Sequence, residues 1–199
     1  MATVNLNPSS TVSNEWVING GDGTVHGVLS DTDDTTSIRD NAQNQTAIVQ
    51  LDDFTVGGTI TSIRHYIRGF KHNARSGDVE VQVIIENSSG TALYSENHQL
   101  LFNSYVAQDF YGTARTDDGS SAWKADDSGD SNDLNGLRLN INTSPEDPPD
   151  FSFANVVKAY IEVTYTPAGY GNSVMGVASG NISKINGVAT ANISKVNGV

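Results

Sequence analysis

The chain has 199 residues, of which 37% are hydrophobic, and it contains no cysteine. This length accommodates one all-β domain with an appendage, and the lack of cysteine excludes disulfide bonds, a thiolate nucleophile and cysteine-based metal sites. The formal net charge of −12 disfavours binding to nucleic acid or to an anionic membrane surface, because both repel an acidic protein.

Alternating apolar and polar residues predict β-strands along most of the chain. The strongest alternation covers residues 47–52, 79–85, 137–141 and 157–165, and further strands are expected near 15–18, 60–70, 92–95 and 105–111. One buried and one solvated face per strand is typical of antiparallel sheets packed face to face. We therefore predict an all-β fold, an antiparallel β-sandwich that is jelly-roll-like, with about eight strands.

The strand over 157–165 shows how the alternation assigns side chains to faces. It places five residues on the inner face: Val157, Ala159, Ile161, Val163 and Tyr165. It places four on the outer face: Lys158, Tyr160, Glu162 and Thr164. Glu162, and Glu80 in the strand over 79–85, therefore fit outward positions on strands better than a pair of catalytic carboxylates.

The composition changes after the last predicted strand, so we divide the chain into a sandwich domain (1–166), a linker (167–180) and a C-terminal tail (181–199). The linker is rich in small residues. The tail contains the unit N-I-S-K-I-N-G-V and, beginning eleven residues later, the unit N-I-S-K-V-N-G-V. Asn186-Gly187 and Asn197-Gly198 predict tight turns after short extended pieces.

A patterned, partly apolar terminus indicates a segment that docks, and the alternative is a duplicated tail without a partner. We expect docking by strand addition, in which an extended piece pairs with a sheet edge of a neighbouring subunit. The residues predicted to dock are Ile182, Lys184, Ile185, Asn186, Gly187, Val188, Ile193, Lys195, Val196, Asn197, Gly198 and Val199.

Several segments together resemble small jelly-roll proteins carried by tailed bacteriophages. They are D-T-D-D-T-T-S-I at 31–38, A-I-V-Q-L-D-D-F at 47–54, T-I-T-S-I at 59–63, L-N-G-L-R-L at 134–139, V-K-A-Y-I-E-V-T-Y at 157–165 and the K-[IV]-N-G-V repeats. The resemblance implies a structural role in the virion, as a capsid decoration or cement protein or in tail or fibre attachment. It implies other virion proteins as partners, a homo-oligomer, and no catalytic residues.

The sequence shows no constellation that indicates an enzyme or a cofactor. It lacks the G-x-S-x-G, H-x-H and H-E-x-x-H patterns of common hydrolases and zinc sites. Asp126 and Asp130 are weak calcium candidates, because Asp126-x-Ser128-x-Asp130 resembles the start of a calcium loop. That loop also requires Gly and Glu where the chain has Ser131 and Leu137. We therefore predict no metal and interpret these residues as solvated acidic side chains of a loop, with calcium binding as the alternative.

Aromatic side chains support a second hypothesis, a carbohydrate- or receptor-binding module at a tail or fibre tip. Its candidate platform is Trp16, Trp123, Tyr105, Phe110 and Tyr111. Trp123 and Trp16 are the candidate ligand-binding residues, with Trp123 expected to be exposed because polar loops flank it. The partner would be a host glycan. Aromatic residues in β-sandwiches also commonly pack in the core, which is the alternative.

The strand over 60–70 runs into the most basic part of the chain, where Arg64, Arg68 and Lys71 alternate with aromatic residues. A contact with an acidic neighbouring subunit is one interpretation. The other is an ordinary strand whose aromatic side chains point inward.

The N-terminus has no signal-peptide pattern, since Met1 to Leu6 lack a basic start and an apolar run. No stretch approaches the roughly 20 apolar residues that cross a bilayer. We therefore expect synthesis in the cytoplasm and no membrane partner. The resemblance to bacteriophage proteins implies that this cytoplasm is the host's and that the protein is located in the virion.

Overall fold

A computed structural model describes residues 1–42, 44–72, 79–100, 106–143 and 153–168, together with the backbone of 184–185 and 188–189. In chain order the elements are β1 (Ala2–Leu6), β2 (Pro8–Asn14), β3 (Val17–Asn19), α1 (Val25–Ser30), β4 (Ser37–Arg39), β5 (Thr46–Leu51), β6 (Gly58–His72), β7 (Val79–Glu86), β8 (Ala92–Leu100), β9 (Gln108–Tyr111), β10 (Arg138–Thr143), β11 (Phe153–Pro167), β12 (Lys184–Ile185) and β13 (Val188–Ala189).

Two antiparallel sheets form a sandwich, as predicted. Sheet A has the order β3-β4-β11-β6-β9, and β1 pairs with the end of β11 that β4 leaves free. Sheet B has the order β2-β5-β10-β7-β8. Because the strands alternate, the inner faces of both sheets supply one core, which includes Ile38, Val49, Val83, Leu139 and Ile161.

The long strand β11 organises sheet A. Its alternation places Ala159, Ile161 and Val163 in the core with no exposed surface, as the sequence predicted. It pairs along most of its length with β6, so that outward residues of the two strands face each other in register. This pairing creates the surface on which the candidate site lies.

The sequence did not predict β1, β2, β4 or helix α1. Strand β2 is almost wholly exposed and mixes Ser, Thr and Asn, so it carries no alternating pattern. It forms because its backbone pairs with β5, a signal that is absent from local sequence. Helix α1 has only six residues; the Thr24 hydroxyl accepts a hydrogen bond from Gly27 N at 3.1 Å and caps it.

The C-terminal tail is described at four positions. Lys184 pairs with Ala189 and Ile185 with Val188, in antiparallel register. The predicted turn at 186–187, the turn at 197–198 and the remaining docking residues lie outside the described part of the chain, as do linker residues 169–180. Strands β12 and β13 thus pair with each other in the isolated chain.

Across the described ranges, no helix has the length and apolar character needed to span a bilayer.

Candidate functional site

Three tyrosines form a row across the outer face of sheet A. Tyr160 of β11 lies opposite Tyr66 of β6, and Tyr66 lies opposite Tyr111 of β9. The Tyr66 ring stacks on Tyr160 with centroids 4.4 Å apart and an interplanar angle of 19°, and its centroid lies 5.1 Å from that of Tyr111. Tyr66 is buried, whereas Tyr111 is 47% exposed. We call these three residues the tyrosine row.

A charged network fixes one side of the tyrosine row. Arg68 donates from Nε and Nη2 to the two carboxylate oxygens of Asp34, at 2.9 and 2.7 Å. Its Nη1 donates to Asp109 Oδ1 at 2.6 Å, and the Tyr66 hydroxyl donates to the same oxygen at 2.7 Å. These four residues line a pocket of about 260 Å³, together with Asp31 and Lys158.

The other side of the row carries a second arginine. The Arg64 guanidinium carbon lies 4.4 Å from the centroid of the Tyr111 ring, in cation–π geometry. Arg64 Nε donates to Glu162 Oε1 at 2.7 Å across the β6–β11 pair. Tyr111 is therefore oriented by both Arg64 and Tyr66 while about half of its surface faces solvent.

The network holds each group in a defined protonation state. Burial and the hydrogen bond to Asp109 raise the pKa of Tyr66, so its hydroxyl stays neutral and donates. Hydrogen bonds from Tyr66 and Arg68 lower the pKa of Asp109, and the bond from Arg68 lowers that of Asp34. At neutral pH the surface presents ionised acceptors and fixed donors beside aromatic rings.

The basic strand differs from the interpretation in which its aromatic side chains point inward. Tyr66 points outward between Arg64 and Arg68, so the inward-facing interpretation is wrong for this residue. The reason is the strand phase, which gives the inner positions to Ile63, His65 and Ile67. Both arginines bind carboxylates of their own chain, which offsets the charge of Arg64 and Arg68.

The two tryptophans predicted to bind a ligand are buried, so the expected exposure of Trp123 is wrong. Trp16 is 3% and Trp123 is 5% exposed, although Trp123 lines part of a pocket of about 500 Å³ together with Phe54 and Val56. The polar loops that flank Trp123 fold around it, and its Nε1–H donates to the carbonyl of Arg115 at 3.0 Å. Burial of such a large apolar surface outweighs the polarity of the flanking sequence.

The weak calcium candidates are bound to a lysine. Lys124 Nζ lies 3.1 Å from Asp126 Oδ2 and 2.6 Å from Asp130 Oδ2, so an ammonium group occupies the space between the two carboxylates. Its hydrogen bond also lowers the pKa of Asp130. Among the residues that the structure describes, no group of three or more His, Asp or Glu side chains is arranged to hold a metal ion.

Sequence reasoning named Tyr111 in an aromatic platform and Arg64 and Arg68 in a basic strand, but it did not join them in one site. The alternation already placed Tyr160 and Glu162 on the outer face of their strand. The same phase applied to 60–70 would have placed Arg64, Tyr66 and Arg68 outward. The sequence does not reveal that β6 pairs with β11 and β9, and this pairing brings the side chains into one row.

Comparison with known proteins gives distant structural likenesses alone. No family model and no curated protein sequence matches the chain. An arabinose-bound GH51 α-L-arabinofuranosidase, MgGH51, aligns with a TM-score of 0.45 and 8% identity over 77% of this chain and 22% of that one. A CBM4 protein aligns with a TM-score of 0.41 and 12% identity over 75% of this chain and 94% of that one.

The enzymatically active domain of tailspike protein 4 from bacteriophage CBA120 aligns with a TM-score of 0.40 and 8% identity, over 82% of this chain and 19% of that one. This chain thus spans about a fifth of the length of the arabinofuranosidase and of the tailspike. These likenesses concern the β-sandwich fold alone.

Proposed function

We propose that this chain is a non-catalytic glycan-binding module whose ligand lies on the tyrosine row. One observation carries the proposal: the half-exposed ring of Tyr111 continues an ordered aromatic row, with fixed hydrogen-bonding groups on either side. Ligand sites in proteins combine apolar or aromatic surface with a few convergent polar groups, and this surface has both.

The chemistry of the site favours a neutral sugar. A sugar ring offers apolar C–H faces to an aromatic ring and hydroxyl groups to carboxylates and guanidinium groups around its edge. Each arginine beside the row is paired with at least one carboxylate, so the surface has little unbalanced charge to attract an ionic ligand. The existing contacts hold these side chains in place, which reduces the entropy that binding would cost.

The same contacts argue for binding over catalysis. A general acid in glycoside hydrolysis needs a raised pKa so that it holds its proton at working pH. Asp34 and Asp109 instead have lowered pKa values because of the hydrogen bonds that they accept. They would serve as hydrogen-bond acceptors for sugar hydroxyls.

The test is retardation of the protein in native gels that contain a neutral polysaccharide: arabinoxylan, mixed-linkage β-glucan or dextran. We expect retardation by at least one polysaccharide, and a loss of affinity of about tenfold or more in Tyr111→Ala, as is found for central aromatic contacts. Gln82→Ala, a substitution on the outer face of sheet B, is the matched control and should bind normally. Failure of all three to retard the protein, together with a blank glycan array, would refute the proposal.

We further propose that the tail attaches the module to a larger particle, as a bacteriophage structural protein would be attached. The support is the repeated unit itself, with Lys184 and Lys195 as the charged side chains after Glu162. Light scattering after size exclusion, on the full chain and on a version that stops at Pro167, tests self-association. An oligomer that becomes a monomer on truncation supports attachment through the repeats, whereas an unchanged mass excludes the tail as a self-association device.

A further inference from the structure

A pair of buried histidines joins the two sheets. His65 lies on β6 of sheet A and His98 on β8 of sheet B, and their Nε2 atoms are 2.7 Å apart. The side chains are buried, with 4% and 8% of each residue exposed. A hydrogen bond between two neutral imidazoles requires one ring to donate its Nε2–H and the other to accept at Nε2 while carrying its proton on Nδ1.

Strand β9 packs directly on this pair. The Phe110 ring centroid lies 5.6 Å from that of His98. Gly112 lies against His65 so closely that any side chain at 112 would overlap the imidazole. Gly112 N also donates to the backbone carbonyl of His65 at 2.9 Å, so this end of β9 depends on the position of His65.

Among the residues that the structure describes, three charged groups interact with the pair. Glu96, on β8, lies near both rings, and its carboxylate accepts a hydrogen bond from Thr113 N at 2.8 Å. Glu80, on β7, lies near His98, and Arg115, which follows β9, lies near His65. The two carboxylates favour a protonated imidazole and Arg115 disfavours one. Burial of the rings therefore decides how readily the histidines are protonated.

The opposite side of β9 belongs to the candidate site. Tyr111 and Asp109 project outward into the tyrosine row and its charged network, while Phe110 and Gly112 contact the histidines. Among the described strands, four-residue β9 pairs with β6 alone. Apart from its pairing with β6, the strand that carries Tyr111 is therefore held by its contacts with the histidine pair.

We propose that the His65–His98 pair is a pH-sensitive latch for the ligand site: its protonation in mild acid loosens β9 and releases the ligand from the tyrosine row. This inference rests on the proposed glycan-binding function for its ligand and on the geometry of β9 for its mechanism. To the proposed glycan binding it adds that acid regulates the affinity of the tyrosine row for its ligand.

The protonation steps explain why the latch opens. The first proton can enter at Nδ1 of the donor ring and leave the Nε2–H···Nε2 bond intact, but it places a cation in a buried site. The second proton puts two N–H groups and two positive charges face to face, which breaks the bond. Loosening of β9 lets water reach both rings and removes this cost.

The pKa values agree with this direction. Burial, and then repulsion by His98, lowers the pKa of His65 from 6.5 to about 4, and burial likewise lowers the pKa of His98. The packed pair therefore resists protons that an exposed histidine accepts at its ordinary value. The population with an open β9 increases as the pH falls from about 6.5 towards 4.

The first experiment needs no ligand. Amide hydrogen exchange of the full chain, corrected for the intrinsic effect of pH on exchange, is measured between pH 7 and pH 4.5. We expect protection of residues 108–113 to fall about tenfold or more, while residues 138–143 of β10 change less. The double variant His65→Gln/His98→Gln should lose this pH dependence. His26→Gln, a substitution on helix α1, should keep it.

Constant protection of β9 in the wild-type chain across this range would overturn the latch, and this outcome does not depend on whether any variant folds. The second experiment repeats the polysaccharide gels at pH 7 and pH 5 and expects about tenfold weaker retardation at pH 5. Retardation that does not change although β9 loosens would overturn the coupling to the ligand site. If no polysaccharide binds at pH 7, the glycan proposal fails while hydrogen exchange still decides whether the latch exists.

Discussion

The outer faces of the two sheets are built by the same alternation but differ in chemistry. In sheet A, the outward positions of β11, β6 and β9 carry the tyrosine row between two arginine–carboxylate groups. In sheet B, the described outward positions of β5, β10 and β7 carry no aromatic residue; they are Thr46, Ile48, Gln50, Arg138, Asn140, Asn142, Glu80, Gln82, Ile84 and Glu86.

This difference separates the features that stabilise the fold from those that could bind a ligand. Both faces satisfy the requirement that a sandwich strand be apolar inside and more polar outside. On sheet B the polar contacts are internal: Asn140 Nδ2 donates to Glu86 Oε1 at 2.6 Å, and both residues are buried. On sheet A an aromatic ring remains half exposed at the end of an ordered row. We therefore expect stability to depend on both faces and ligand binding on sheet A alone.

The largest expected effect concerns the histidine pair, whose side-chain hydrogen bond links the two sheets. Lowering the pKa of His65 from 6.5 to about 4 means that the unfolded chain binds protons more readily than the folded chain. The stability contribution is therefore complete above pH 6.5 and decreases as the pH falls towards 4, by about 3 kcal/mol in total. Urea unfolding at pH 7 and pH 4.5 measures it.

Carboxylates also titrate in this range, so the control is a difference between variants. His26→Gln should show the full wild-type loss of stability in acid, and His65→Gln/His98→Gln should show a smaller one. Equal losses in the two variants would mean that the pair does not control the acid response and that the sheets are linked chiefly by their apolar core.

The next effect lies on sheet B and tests whether the two faces are independent. Asn140→Ala removes the donor to the buried Glu86 carboxylate, and we expect it to lower the free energy of unfolding by about 2 kcal/mol. Polysaccharide retardation at pH 7 should not change. The matched substitution Gln82→Ala should alter stability by about 0.5 kcal/mol or less. Weakened binding in folded Asn140→Ala would show that the faces are coupled.

A smaller effect is expected within the charged network of sheet A. Tyr66→Phe keeps the stacked ring and removes the hydroxyl that donates to Asp109. We expect a loss of about 1 kcal/mol in stability and a rise in the pKa of Asp109, because one of its two donors is gone. Carboxyl carbon chemical shifts in an NMR titration measure that pKa. An unchanged pKa would assign the lowering to Arg68 alone.

The sequence predicted the sandwich because long strands such as β11 and β7 alternate strictly, and burial enforces that alternation. It did not predict β2, whose formation depends on pairing with β5. The site shows the same division. The outward phase of Tyr160 could be read locally, but its stacking on Tyr66 required the register of β11 against β6, which connects residues nearly a hundred positions apart.

The burial of Trp123 shows a second limit. Polar neighbours predicted exposure, yet the loop folds so that Lys124 pairs with residues 130–133 and the indole lies beneath. Local polarity describes the side chains next to a residue and not the backbone that folds over it. Tyr111 has the opposite outcome, because it lies on the outer phase of an edge strand where nothing covers half of its surface.

The smallest expected effect tests whether Arg64 orients Tyr111. Arg64→Gln removes both the cation above the Tyr111 ring and the ion pair with Glu162. Because the pair is partly solvated, the loss of stability should be about 0.5 kcal/mol. The near-ultraviolet circular dichroism of tyrosine should change, and polysaccharide affinity should fall about twofold to threefold, since Tyr111 would sample more orientations. Arg64→Lys keeps the charge and should restore part of the affinity. If both variants bind as the wild type does, stacking on Tyr66 alone orients Tyr111. The outer faces of sheets A and B would then differ in ligand binding only because sheet A carries exposed aromatic residues.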